Sequence, residues 1–166
     1  FSPRFEGKIS WTKDSITHWM SWDGATFRYL MGENEVLNPD FLAAKKKDFD
    51  AAFYTVAQPW KLLDKGGKLS YEGNKKLDTG KEVASIRVDY GPDADTWWYY
   101  FDPKSFEMLG NEVQLKDHRS RIYDLSSEQV EKMIFHGNRE SWRVDEAGKR
   151  LFLRAEYRYS NYELQY

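Results

Sequence analysis

The sequence predicts a mainly β protein: one domain over residues 1–166, folded as a single curved antiparallel sheet or incomplete barrel that short helices partly cover. Three observations carry that expectation. Apolar and polar residues alternate with a period of two in several separate runs, and Gly, Asn, Asp and Pro clusters divide those runs. Only one stretch, 40–57, switches clearly to helical spacing. Aromatic residues make up 17% of the chain, which suits strands because flat side chains pack over their neighbours on a pleated surface.

The first strand is read in DSITHWMSW, residues 14–22, where Ile16, His18, Met20 and Trp22 alternate with Thr17, Trp19 and Ser21. Asp23-Gly24 follows as a two-residue hairpin connection, since both positions tolerate positive φ. ATFRYLM returns, and Gly32-Glu33-Asn34 supplies the next turn. Residues 40–57 place Phe41, Ala44, Asp48, Ala51 and Ala52 at helical spacing, and Phe49, Phe53 and Val56 continue a stripe, so one or two short helices are expected with Asp40 as cap. The run Lys45-Lys46-Lys47 is their solvated face. Pro59 ends the helix, because the residue before a proline is biased out of the α region.

Strand signals resume at GKLSYEG (67–73), at EVASIRVDY (82–90) with its turn at Gly80-Lys81, and at WWYYF (97–101), closed by Asp102-Pro103. In that last run Trp97, Tyr99 and Phe101 share one face and Trp98 and Tyr100 the other. Both faces must then be covered, or one lines a cavity. A strand is read over 106–115. Residues 126–136, SSEQVEKMIFH, admit a short helix because Ser126 and Gln129 have capping-box spacing, with a strand at 133–136 as the alternative. In RLFLRAEYRYS, Leu151, Leu153, Ala155, Tyr157 and Tyr159 face one way and Arg154, Glu156, Arg158 and Ser160 the other, the pattern of a half-buried strand.

Lys+Arg 25 against Asp+Glu 27 gives a formal net charge of -2, so no general field attracts phosphate backbones, and nucleic acid is not an expected partner. The absence of Cys removes thiolate nucleophiles, disulfides and thiolate metal sites. No apolar run approaches the ~20 residues that span a bilayer as a helix. The first residue is Phe1 rather than Met, as expected of a chain trimmed from a longer product whose export signal or lipid anchor has been removed.

Motifs for chemistry are sparse. His18, His118 and His136 are widely separated, with no H-E-x-x-H, G-x-S-x-G, phosphate-loop or dinucleotide fingerprint, so neither a metal nor another cofactor is expected. His18 reads as a polar interruption of an aromatic strand, and His118 as turn or surface. Asp93/Asp95 and Asp48/Asp50 invite comparison with a glycosidase pair or calcium site, but a D-x-D spacing alone supplies neither the carboxylate separation nor the six or more oxygens required. Solvated turn residues explain them.

One stretch of chain carries a resemblance. Phe53-Tyr54-Thr55, the segment 58–67 (QPWKLLDKGG), Gly80-Lys81, the segment 86–90 (IRVDY), the segment 95–103 (DTWWYYFDP) and Met108-Leu109 together resemble an uncharacterised bacterial exported and lipoprotein family. Its curved sheets are similar to those of the LolA/LolB-type carriers of outer-membrane lipoprotein sorting. The pattern covers residues 53–109. The resemblance implies a periplasmic or outer-membrane-associated protein that holds acyl chains in the hollow of an incomplete barrel beneath a helical lid. Carried over by position, Phe53, Val56, Trp60, Leu62 and Leu63 are the lid candidates, and Trp97, Tyr99 and Phe101 the wall candidates. The long helix that such carriers place before the first strand has no counterpart in this sequence.

Three functions remain open at this point. The first is a non-enzymatic envelope protein that binds a lipid, acyl chain or other apolar ligand in the concave side of the sheet, with an envelope protein as a further partner. The second is a structural or protein-interaction domain whose aromatics simply fill a core. The third is a secreted hydrolase using paired carboxylates. The balance leans away from an enzyme and towards the first.

Overall fold

The computed structural model describes residues 6–63 and 66–163, which divide into two units, Phe1–Gln58 and Pro59–Tyr166. Asp64 and Lys65, part of the expected return from lid to sheet, lie outside the described residues. The protein is mainly β, and its sheets are antiparallel.

In the first unit, β1 (Gly7–Lys13), β2 (Ile16–Trp22), β3 (Phe27–Met31) and β4 (Asn34–Glu35) form a meander in the order β1-β2-β3-β4. Asp14 and Ser15, read from sequence as the start of a strand, instead make the β1–β2 turn at φ 51° and 62°. The Asp23-Gly24 turn is longer than expected. Trp22 pairs with Phe27, and Asp23 Oδ1 accepts from the amides of Ala25 and Thr26, so the carboxylate organises a four-residue loop in place of a tight hairpin.

The helical reading of 40–57 holds as one element, α1 (Pro39–Val56). Its cap is Asn38, not Asp40: the Asn38 side chain accepts from the Phe41 amide at 3.0 Å, and Pro39 occupies the first turn, where a missing N–H costs nothing. The buried stripe runs through Phe49, which packs with Met20 and Tyr29 from the sheet, while Phe41 and Leu42 flank it. Ala44, Asp48, Ala51 and Ala52, also placed at helical spacing in the sequence, are exposed. Lys45 and Lys46 bond Asp48 and Asp50 along the solvated face, which also accounts for that carboxylate pair.

The second unit holds a 3-10 turn (Trp60–Leu63) and a seven-stranded sheet in the order β13-β12-β9-β8-β7-β6-β5. Its strands are β5 (Lys68–Lys76), β6 (Glu82–Asp89), β7 (Thr96–Phe101), β8 (Met108–Gln114), β9 (Arg119–Asp124), β12 (Asn138–Val144) and β13 (Arg150–Arg158). Between β9 and β12 the chain leaves the sheet as a separate hairpin, β10 (Ser127–Val130) and β11 (Met133–His136). Among the described residues the strands therefore form three sheets, none closed into a barrel, where the sequence suggested one.

The hairpin replaces the helix expected over 126–136. Val130 pairs with Met133 across a two-residue turn in which Glu131 takes φ 55°, and the Ser126 hydroxyl accepts from the Asn138 amide rather than capping a helix. The strand read from Phe106 begins at Met108, because Phe106 sits at φ 61° in the turn organised by Asp102. On β13 the expected apolar face is buried only towards its C-terminal half. Leu151 and Leu153 are exposed, since β13 is an edge strand and its register with β12 shifts at Ser141/Trp142 and Arg143/Val144.

Of the two outcomes the WWYYF run allowed, coverage of both faces holds at the middle of β7: Tyr99 and Tyr100, which point to opposite sides, are each wholly buried. On the Tyr100 side a core of Leu77, Val83, Tyr100 and Tyr123 forms, with Trp98, Leu109 and Trp142 packed against it.

Candidate functional site

At the end of the sheet where β7 turns into β8 and β9 leaves for the hairpin, side chains enclose a groove of about 500 Å³. Trp60, Phe106, Met108, Leu109, Leu125, Met133, Ile134 and Phe135 provide its apolar wall, and Lys81, Glu107, Asp124, Ser126, Ser127, Lys132 and His136 its polar groups. Its parts are held in place from several sides. Pro59 starts the 3-10 turn, whose first bond runs from the Leu62 amide to the Pro59 carbonyl at 2.9 Å. That places Trp60 against Phe135, with ring centroids 5.3 Å apart, and Phe135 in turn stacks on Tyr162 at 4.5 Å. Ser127 donates to Glu107 at 2.9 Å, tying the hairpin to the β7–β8 turn. Asp102 fixes that turn by accepting from the Lys104 and Ser105 amides, and these bonds hold its carboxyl below the usual carboxylate range.

One wall of the groove carries a buried polar cluster. Asp124 bonds the Arg139 guanidinium through one oxygen, and its other oxygen lies 3.1 Å from Nδ1 of His136. The two atoms are close, yet the contact lies off the hydrogen-bonding direction, so Oδ2 has no true hydrogen bond. Arg139 also donates to Asn111 at 2.9 Å and is itself wholly buried. His136 is only 6% exposed, and its Nε2 has no hydrogen-bond partner. A buried polar atom left unmatched costs about 1–3 kcal/mol, so something that borders the groove is expected to satisfy it.

The opposite face of the sheet holds a second cluster, and it is closed on itself. Glu112 accepts from Tyr100 at 2.9 Å and from Arg121 at 2.5 Å; Arg121 also reaches Tyr123, the Gly148 carbonyl and Asp78. Tyr123 donates to Asp78, and Asp78 bonds Arg150 at 2.9 Å, so the β5–β6 turn is strapped to β9 and to the edge strand β13. Burial raises the Tyr100 hydroxyl far above its ordinary value, and Glu112 adds to the effect; burial, with Asp78 adding, pushes Tyr123 up to about 12. Burial also lowers the ammonium of Lys75, which lies over the Tyr100 ring at 4.7 Å. Every carboxylate in this cluster is engaged by a guanidinium or hydroxyl, so its role is to hold the sheet.

The residues singled out from sequence fall on three elements. Phe53 and Val56 lie on the last turns of α1 in the first unit. Trp60, Leu62 and Leu63 share the 3-10 turn of the second, where Trp60 lines the groove and Leu63 is exposed. Trp97, Tyr99 and Phe101 share one face of β7, with Tyr99 fully buried and Phe101 paired to Met108, a groove residue. Asp124, the hairpin residues and His136 were missed as site residues. The signal that could have found them was the alternation in 133–136, overshadowed by the capping-box spacing at Ser126. His18 is buried in the first unit, stacked on Trp11 and bonded to Tyr29 at 2.8 Å. Among the described residues no three His, Asp or Glu side chains gather as a metal site, and no helix is long and apolar enough to cross a membrane.

Fold and groove together define a class: a module of antiparallel sheets carrying an amphipathic groove. Compared with protein-family models, with curated proteins and with solved structures, the chain matches none.

Proposed function

We propose that the protein is a non-enzymatic binding protein whose groove takes a lipid, acyl chain or other apolar small molecule, in the cell-envelope setting implied by the sequence resemblance. The observation that carries this reading is the 500 Å³ groove, whose wall of eight large apolar side chains includes Phe106, Leu125 and Ile134 left exposed to solvent. That volume falls in the range of small-molecule sites, and each methylene buried there contributes about 0.8 kcal/mol, so affinity comes from area with few polar contacts. On this reading the ligand sits at the strand ends and the hairpin. Displacement of a fluorescent fatty-acid probe tests it. Trp60→Ala is expected to weaken binding roughly tenfold, on the scale of one lost aromatic contact. Unchanged affinity in Trp60→Ala, or no displacement by any aliphatic compound, sinks the reading.

A second reading, a protein-interaction domain, draws on a different observation. The edge strand β13 leaves Leu151, Phe152 and Leu153 exposed in a row, the kind of edge to which another strand adds. Leu153→Lys is expected to abolish any self-association seen by analytical ultracentrifugation while leaving groove binding intact.

A further inference from the structure

The strapped cluster on the Tyr100 face leaves positive charge over. Between the β5–β6 turn and the β12–β13 turn lies a second pocket of about 300 Å³, whose lining includes Lys75, Lys76, Arg119, Arg121 and Lys149. Its acids are Asp78 and Glu112, and both are already answered: Arg121 and Arg150 take Asp78, while Arg121 and Arg119 take Glu112. Three guanidiniums thus share two carboxylates. Among the described residues none of the three lysines stands within ion-pair distance of an acid. Glu72, which attracts Lys75 from farther off, accepts from the Trp98 indole at 3.0 Å. The whole chain carries a formal charge of -2, so this surplus is a local property of one pocket.

Aromatic faces hold two of these cations in place. Trp98 and Tyr100 share one face of β7; the Arg119 guanidinium lies 5.4 Å from the Trp98 ring and the Lys75 ammonium 4.7 Å from that of Tyr100. Arg119 also donates to Gln114 Oε1 at 3.0 Å and to the Glu146 carbonyl at 3.3 Å. The turns that frame the pocket are fixed as well. Asp78 is bonded by Arg121, Tyr123 and Arg150, the Gly148 carbonyl accepts from Arg121 at 2.9 Å, and Asp145 accepts from the Lys149 amide. Cations that stand in place before a ligand arrives spare part of the ordering cost of binding. A monocarboxylate answers one such charge. A phosphate monoester carries up to two charges at neutral pH and three acceptor oxygens, so it answers cations from β5, β9 and the β12–β13 turn together. We propose that this pocket binds the phosphate group of a small phosphate monoester, with Lys75, Arg119 and Lys149 on its oxygens. It shares no lining residue with the hairpin groove, so it stands or falls apart from that reading.

Calorimetric titration at low salt tests it with glycerol 3-phosphate, acetate and glycerol. Glycerol 3-phosphate is expected to saturate a single site, about tenfold or more tighter than acetate, and glycerol to give no signal. Lys75→Met and Lys149→Met are each expected to weaken the ester about fivefold, the scale of one charge-assisted hydrogen bond. Lys47→Met, which removes the same charge from the exposed face of α1, is expected to leave it unchanged. Lys149 is exposed in a turn, so its variant reports even where Lys75→Met fails to fold. The amide resonances of Gly148 and Lys149 in the unmutated protein add a readout independent of any variant: they are expected to move with glycerol 3-phosphate and stay with glycerol. Equal affinities for the ester and acetate, an equal loss in Lys47→Met, or stationary turn amides each overturns the proposal. Phosphatidylcholine vesicles with and without phosphatidate separate a soluble ester from a lipid head group. Binding to phosphatidate vesicles with none to glycerol 3-phosphate overturns the small-molecule site in favour of a membrane surface.

Discussion

Gly110 shows how narrowly one residue can be specified. It lies within β8 at φ 150°, and a Cβ added there would stand 2.1 Å from the Ile122 carbonyl oxygen on the neighbouring strand. Neither the dihedral nor the contact can relax without parting β8 from β9, so Gly110→Ala is expected to cost on the order of 3 kcal/mol in a urea titration. Asp78 shows the same dependence on neighbours through charge. Burial alone pushes its carboxyl up, but the Tyr123 hydroxyl and the Arg150 and Arg121 guanidiniums together bring it below its ordinary value. A depressed folded-state value means stability that is complete above the unfolded value near pH 4 and is lost as pH falls through the folded one. Melts taken downward from pH 5 are expected to show a steeper loss in the natural chain than in Asp78→Asn. At the alkaline end Tyr123, pushed up to about 12, has the opposite sign: it withdraws stability as pH rises from about 10, its unfolded value, through 12. Tyr123→Phe is expected to flatten that decline.

At the scale of elements, local signals decide most boundaries and lose where a turn competes. Asn38 caps α1 one residue before Pro39, and Asn38→Ala is expected to destabilise the chain by about 1 kcal/mol, measured by chemical denaturation. The sequence offered Asp40 for that role because it also precedes a helical run; Pro39 at the helix start moves the cap two residues back. Residues 126–136 are the sharper case. Capping-box spacing and a shared Val130/Ile134 face read as helix, yet the segment pairs Gln129 with Ile134 and Val130 with Met133. Gly137 explains part of this. A side chain there would meet the Ser126 hydroxyl at 2.5 Å, so the chain returns beside Ser126 after one hairpin, a close approach that a helix over the same residues would not provide. The groove depends on that outcome, since a helix would carry Phe135 and His136 elsewhere.

For the whole molecule, ligand linkage is the test that integrates the parts. If the groove is the binding site, an aliphatic compound that displaces the fatty-acid probe is expected, at about a hundred times its dissociation constant, to stabilise the protein by about 2.7 kcal/mol, visible as a rise in Tm that Trp60→Ala diminishes at the same concentration. The mainly antiparallel β architecture was legible from sequence because period-two alternation and turn residues act locally, within a few positions of each strand. The WWYYF run likewise announced a strand whose faces are both covered or one of which lines a cavity, and Tyr99 and Tyr100 are buried on opposite faces. The division into three sheets was not legible, because which strands pair depends on contacts between residues far apart in the chain. The site divided in the same way. Trp60 was visible as a large apolar residue beside Pro59, but Asp124, His136 and Arg139 carry no motif. They meet because β9 and β12 are neighbours in the sheet while β10 and β11 turn aside between them, bringing an acid, an imidazole and a guanidinium from separate positions into one dry wall. Local physical chemistry determined the elements; long-range pairing alone decided where charge is buried, and with it the chemistry of the groove.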